Sequence, residues 1–415
     1  MSDILSELKR LGVTMGFPEK PAAPKRTGDV FRTLETAFPD GFTGENRFGP
    51  YFLNRRAYPL DYTHGSVCLS QEIAQSGLFK SLVGRTDIKK EETLAMDTET
   101  SGLSSAAAAF VFMIGMGYYS DNMYVIDQLI LPDLGYEKAF LHQIEITFAR
   151  FPVLLTYNGK SFDVPMIRSR GNFHFFPDFC AGMHHIDFLP IVRKFWRRTL
   201  PNCRLSTVEQ DILEVRRGEA EVPGFMAPEI YREFLNTLDA DGLAGIAYHN
   251  EIDVLSLTAL LLFLSGVTRK GLNQPDSLRE HRMSVPDFYR SAAMLNPEET
   301  ELSRFLEDSL FSIAERRMTA ATLRKRGALE QSLQIYCVLA ESGDIISCYE
   351  AARLHEKTGR EPEKAIAYLQ KGIALLEQSE TIGVWSKQAK LDQFRNRIEQ
   401  IRRKAGNSKK DFPFE

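Results

Sequence analysis

"TLAMDTETSGL", residues 93–103, decides how this chain is read. "TLAM" has the character of a short buried strand and Ser101-Gly102 is a turn signal, so Asp97 and Glu99 stand where a strand ends. Two further carboxylate clusters follow. "PVLLTYNGKSFDVP", residues 152–165, gives a second buried strand that breaks at Asn158-Gly159. Pro165 fits the first turn of a helix, which puts Asp163 beside a positive helix N-terminus. "LAGIAYHNEIDVLSLTALLLFLSGV", residues 243–267, is long, apolar and free of proline, and reads as a mostly buried helix carrying Asp253 inward. With 55 acidic residues in the chain, an isolated Asp-x-Glu says little. What counts is that all three clusters adjoin apolar runs, where a carboxylate without a partner is costly. A divalent cation would be such a partner, and strand ends of an open α/β sheet are where ligands bind. Hard oxygen donors suit magnesium or manganese, and two ions ~4 Å apart can clamp the attacking and leaving oxygens of a phosphodiester.

The three segments resemble the exonuclease motifs of the DEDD superfamily, the proofreading-type 3′ to 5′ exonucleases of ribonuclease H-like fold. The resemblance covers about residues 90 to 268, and the first two motifs match closely, including Asn158 and Phe162. It implies an α/β fold with a mixed sheet flanked by helices, and Asp97, Glu99, Asp163 and Asp253 as ligands of two Mg²⁺ or Mn²⁺ ions. It also implies Thr98 and Leu103 near the terminal nucleotide, Asn158 and Phe162 on the substrate side, and a single-stranded DNA or RNA 3′ end as substrate. Together with a helical tail, the layout is similar to a bacterial subgroup of exonucleases with a tetratricopeptide-like C-terminus.

The third motif departs from both versions of the family, one with His five residues before the last Asp and one with Tyr four before it. Here Tyr248 is five before Asp253 and His249 four before. At about 100° per residue, His249 lies roughly 40° from Asp253 around a helix and Tyr248 roughly 140°. His249 is therefore expected on the face of Asp253 as the general base. A helix that began only after Asn250 would let Tyr248 swing in instead.

Length and composition suit two or three domains, with 43% apolar residues across 415. The net charge of −4 exerts no general pull on polyanions. A basic stretch nevertheless follows Asp163. Residues 164–204 hold seven Arg or Lys against two Asp. Within "DFLPIVRKFWRRTL", Phe188, Val192 and Phe195 form an inward stripe that leaves Arg193, Lys194, Arg197 and Arg198 outside, where they could meet phosphates. Five scattered cysteines without a C-x-x-C pair suit a reducing, cytoplasmic setting, and Cys180, His184 and His185 lack a second pair at zinc spacing. The uncharged span of residues 100–120 contains Gly115 and Gly117 and leads into "MYVIDQLIL", so it is expected as a β-hairpin and not a membrane helix.

The expected organisation is an N-terminal arm and linker over 1–90, a ribonuclease H-like exonuclease domain over 91–270, and a linker over 271–310. A tetratricopeptide-like helical domain over 311–405 and a disordered tail over 406–415 complete it. The arm would open with a short amphipathic helix at Ile4 to Leu11 and the linker "PEKPAAPKR". The helical domain rests on "GALEQSLQIY" and "REPEKAIAYL", which superpose at an offset of 33 residues. Such repeats imply a protein partner. The alternative to an enzyme is a non-catalytic nucleic-acid-binding scaffold that recruits partners through the repeats. A structure-selective endonuclease on the same fold is a third reading.

Overall fold

In the computed structural model of the chain, strands gather into one mixed sheet in the N-terminal two thirds and helices follow. The described residues are 29–102, 109–218, 222–271, 275–284, 287, 288, 291, 312–325, 327–358, 361–380 and 383–408. The helix expected at Ile4 to Leu11, the proline-rich linker, Leu103 and the last residues of the tail lie outside them.

Helix α1 (Val30–Ala37) starts at Asp29, whose carboxylate accepts the Phe31 N–H at 3.0 Å. Strands β1 (Gly41–Asn46) and β2 (Gly49–Pro59) form a hairpin, so part of the stretch expected as an N-terminal arm and linker supplies two strands. A small hairpin, β3 (Thr63–His64) with β4 (Val67–Cys68), precedes α2 (Gly77–Val83). The expected hairpin after the Asp97 strand is present as β5 (Thr93–Thr100), β6 (Val111–Ser120) and β7 (Met123–Ile130), each antiparallel to the next. Asp121 and Asn122 turn β6 into β7 with φ of 48° and 60°, the left-handed pair a tight hairpin demands. After α3 (Glu137–Phe148) come β8 (Val153–Thr156), α4 (Asp163–Phe173) and β9 (His184–Asp187).

The seven-stranded sheet runs β1-β2-β7-β6-β5-β8-β9, with β5, β8 and β9 parallel. The carboxyl ends of those three strands carry Asp97 and Glu99, the turn at Asn158, and Asp187. Further along lie α5 (Phe188–Trp196), α6 (Leu205–Val208) running into a π-turn at Glu209–Leu213, α7 (Ala227–Thr237) and α8 (Asp241–Gly271).

Helix α8 is long and apolar enough to cross a membrane, but most of it is buried within the protein. Two glycines let it lie close to the sheet. A Cβ on Gly115 would fall 2.1 Å from Asn250 Oδ1, and one on Gly117 2.5 Å from Val254 Cγ1. Leu94, Met96, Ile114, Met116, Leu129 and Leu154 of the sheet join Phe140 and Ile144 of α3 and Leu243 and Ile246 of α8 in one core.

Two compact units result. Of the described residues, those within 1–73, 88–190 and 204–263 form the first, and those within 74–87, 191–203 and 264–415 the second. In the second unit, α9 (Pro275–Glu280) is followed by α10 (Ile313–Lys325), α11 (Leu329–Glu341), α12 (Ile345–Thr358), α13 (Pro362–Gln378) and α14 (Val384–Ser408). From α10 onward each helix packs on its successor. Ser332 and Ala365, 33 residues apart, are both buried, as are Tyr336 and Leu369.

Candidate active site

Asp97 and Glu99 stand two residues apart on β5 and so share a face of the sheet. Asp97 pairs with Gly115 of β6, and the ladder shifts register after Glu99. Because Gly115 has no side chain, α8 comes near enough for Asn250 to reach Asp97. Asn250 Nδ2 donates to Asp97 Oδ2 at 3.0 Å and to the Asp97 carbonyl at 3.1 Å. Its own Oδ1 accepts from Gln128 Nε2 at 3.1 Å, while Gln128 also donates to the Ala247 carbonyl and accepts from Asn54. This buried chain of amides fixes Asn250 and, through it, the first carboxylate.

Asp163 opens α4. The Thr98 hydroxyl donates to its Oδ1 at 2.5 Å, tying the helix to β5. The turn before it is pinned by Asp187, which accepts the N–H groups of Asn158 at 2.7 Å, Lys160 at 3.2 Å and Leu189 at 3.1 Å. Asn158 adopts φ of 65°, a left-handed conformation that Asn tolerates better than most residues. Asp187 thus holds the loop that leads into Asp163. Phe162 is 57% exposed beside Asp163.

Asp253 and His249 lie one turn apart on α8, with His249 Nε2 3.7 Å from Asp253 Oδ2. The helix begins at Asp241, well before this segment, so the placement of His249 on the Asp253 face holds. Tyr248 points elsewhere, its hydroxyl accepting the Gly218 N–H at 3.0 Å. Arg217 also reaches this point. Its guanidinium hydrogen-bonds to Asp253 Oδ1, to Glu209 Oε2 at 2.5 Å and to His249 Nδ1 at 2.7 Å.

Burial raises the carboxyl groups of Asp97, Glu99 and Asp163, and mutual repulsion adds to it at Asp97 and Glu99. Desolvation pushes Asp97 well up, and the charges of Asp253, Asp163 and Glu99 add to it against the Asn250 hydrogen bond. Glu99 is pushed up to about 8 by burial, then by Asp253 and Asp163. Asp163 is raised by burial, which the Thr98 hydroxyl opposes. Such groups act on one another as a single electrostatic cluster. Among the described residues, no three His, Cys, Asp or Glu side chains stand ready-made around an ion. Asp97, Asp163 and Asp253 are instead drawn toward Asn250, Thr98 and Arg217. The donors still fit a hard divalent cation: they are oxygen ligands largely withdrawn from water, and at Asp97 and Glu99 burial and neighbouring negative charge favour a cation.

Arg193, Lys194, Arg197 and Arg198 are exposed, over the buried stripe of Phe188, Val192 and Phe195. They belong to the second unit, whereas the carboxylates belong to the first. Arg198 already contacts the Met318 sulfur at 3.5 Å and Asp287 at 3.9 Å. Sequence reading missed Asn250, Glu209 and Arg217. Asn250 sits inside the quoted third motif and could have been suspected, but nothing in the spacing of Glu209 or Arg217 points to the site.

Comparison with known proteins gives a family match and similar proteins. The family model described as RNase H superfamily matches residues 94–264. A Bacillus subtilis (strain 168) protein, "Uncharacterized protein YprB", is 29% identical over 349 residues, covering 78% of this chain and 81% of its own. Among solved structures, the family B DNA polymerase of the hyperthermophilic archaeon Pyrobaculum calidifontis is similar at 16% identity and a TM-score of 0.33. That match covers 49% of this chain and 28% of the polymerase. The seven-stranded mixed sheet, the helices around it and the family match over residues 94–264 make this domain ribonuclease H-like, with a helical region following it.

Proposed function

We propose that the chain is a divalent-metal-dependent 3′ to 5′ exonuclease acting on single-stranded nucleic acid. The observation that carries this reading is the convergence of Asp97, Glu99, Asp163 and Asp253, from three separate elements, into one buried electrostatic cluster. In this reading the four carboxylates hold two Mg²⁺ or Mn²⁺ ions. When bound, the ions would supply positive charge to the scissile phosphate and lower the pKa of the attacking water. Asn250 and Thr98 orient Asp97 and Asp163, and Asp187 sets the loop that leads into α4. His249 takes the proton of the attacking water, a task for which an imidazole beside Asp253 is suited. Phe162, exposed next to Asp163, offers a face on which a terminal base can stack. Thr98, Leu103 and Asn158 would border the terminal nucleotide, and Arg193, Lys194, Arg197 and Arg198 would meet backbone phosphates. The helical repeats would bind a protein partner, and the setting would be cytoplasmic.

One observation favours a second reading, a non-catalytic nucleic-acid-binding scaffold: Arg217 already neutralises Asp253. Incubating the purified protein with 5′-labelled single strands of DNA and RNA, with Mn²⁺ or with EDTA, separates the two. The exonuclease yields a ladder shortening from the 3′ end only when Mn²⁺ is present. Binding without shortening would favour the scaffold, and cleavage that persists in EDTA would contradict the metal mechanism.

A further inference from the structure

Arg217 occupies two groups that the proposed chemistry needs. Its Nη2 donates to Asp253, and its Nη1 lies 2.7 Å from His249 Nδ1. A guanidinium has five donors and no acceptor, so Nδ1 must be the accepting, unprotonated nitrogen. The ring proton then sits on Nε2, the nitrogen facing Asp253 at 3.7 Å. With both positions spoken for, His249 has no lone pair left to accept a proton from water.

The other side of Arg217 is held by Glu209, through Nε at 2.7 Å and Nη2 at 2.5 Å. Glu209 comes from the π-turn after α6 and is 1% exposed. Arg217 and Asp253 are themselves largely buried, at 11% and 13% side-chain exposure. Breaking a buried pair by taking one partner away is costly, because the other charge remains without compensation. Arg217 can leave Asp253 without that cost only if Glu209 keeps it and another cation takes its place. Room exists for the shift: a cavity of about 820 Å³ is lined by Glu209, Asp211, Glu214 and Arg217, among others.

We propose that Arg217 is a displaceable internal cation, which occupies the position beside Asp253 and the Nδ1 lone pair of His249 until a divalent ion displaces it onto Glu209. The inference rests on the metal-dependent reading above and adds to it a positioning residue that the motifs do not contain. Displacement does two things at once. It opens Asp253 as an oxygen ligand, and it frees Nδ1 so that the ring can shift its proton and accept one from water. A single event thereby couples ion binding to readiness of the base, and the ion-free protein has neither.

The test is Mn²⁺ affinity, read from the electron paramagnetic resonance of free Mn²⁺ with the full-length chain. The variants are Arg217→Gln, Arg217→Lys and the double variant Arg217→Gln/Glu209→Gln. The double variant leaves net charge unchanged and keeps the buried pair able to hydrogen-bond, so it guards against loss of fold. Arg217→Gln and the double variant should bind Mn²⁺ tighter than wild type by about tenfold or more, within the usual span of coupling between competing ligands. Arg217→Lys, which retains the competing charge, should stay near wild type. A gain in the double variant reports displacement, since a bulk electrostatic effect would vanish there. If wild type binds Mn²⁺ and the folded double variant binds no tighter, the role of Arg217 is overturned while the metal site stands. If neither binds Mn²⁺, the metal site falls and this inference with it.

Discussion

His249 and Tyr248 are neighbours with unlike surroundings. His249 faces Asp253, whereas the Tyr248 hydroxyl is engaged with the Gly218 backbone. His249→Ala should therefore lower turnover by roughly 10²-fold or more, the scale of a general base, and Tyr248→Phe should change it little. Steady-state kinetics on a labelled strand decides; a damaged Tyr variant beside a normal His variant would reverse the assignment. A second histidine gives a pH signature. His64 is buried, bonded to Ser256 at 2.8 Å, and pushed down to about 4 by burial and by the charge of Arg217. Its folded pKa lies below the ordinary 6.5, so the unfolded chain binds more protons between these values. Its neutral packing therefore costs nothing above pH 6.5, and stability is lost as pH falls from there toward 4, by up to about 3 kcal/mol. The melting advantage of wild type over His64→Gln should narrow between pH 7.5 and pH 5; a constant difference would contradict this. The four carboxylates were legible in the sequence because each borders a strand end or an apolar helix. Asn250 lies 153 residues from the Asp97 it orients, and Arg217 36 from Asp253, and no local pattern records such pairings.

At the scale of elements, the approach of α8 to β6 decides whether the site forms. Gly115 is the point of nearest contact, with Asn250 Oδ1 at 2.1 Å and Val254 Cγ2 at 2.8 Å from the position of a Cβ. Gly115→Ala should push the helix away, cost about 1–3 kcal/mol by overpacking, and lower the melting temperature by roughly 3–10 °C. Stabilisation by Mn²⁺ should shrink in the same variant, because Asn250 no longer holds Asp97 in place. An unchanged melting temperature would show that the contact is soft. The β5–β7 hairpins, β8, α4 and α8 were all readable from period and turn residues. The joining of β1 and β2 to β7 was not, since edge pairing across 74 residues, as between Asn54 and Gln128, is set by contacts far apart in the chain.

For the whole molecule, the ribonuclease H-like unit and the helical unit are each interleaved in sequence, with residues 74–87 and 191–203 belonging to the second. The recurrence of "GALEQSLQIY" in "REPEKAIAYL" pointed to helices in the C-terminal part, and the greater part of each segment lies in a helix. The interleaving was not legible, because short segments such as α2 carry no composition of their own. The central claim is that the four acids form one site for divalent cations. Burial and, at Asp97 and Glu99, neighbouring charge raise the carboxyl groups of Asp97, Glu99 and Asp163, so the ion-free protein carries a cost that is absent at low pH and present in full above about 8 for Glu99. Thermal unfolding of wild type and Asp97→Asn at pH 8.5, each with EDTA and with Mn²⁺, tests this most directly. The account predicts that Asp97→Asn melts higher than wild type in EDTA, and that Mn²⁺ raises the wild type strongly and the variant little. A variant that melts lower in EDTA, together with a wild type indifferent to Mn²⁺, would contradict it.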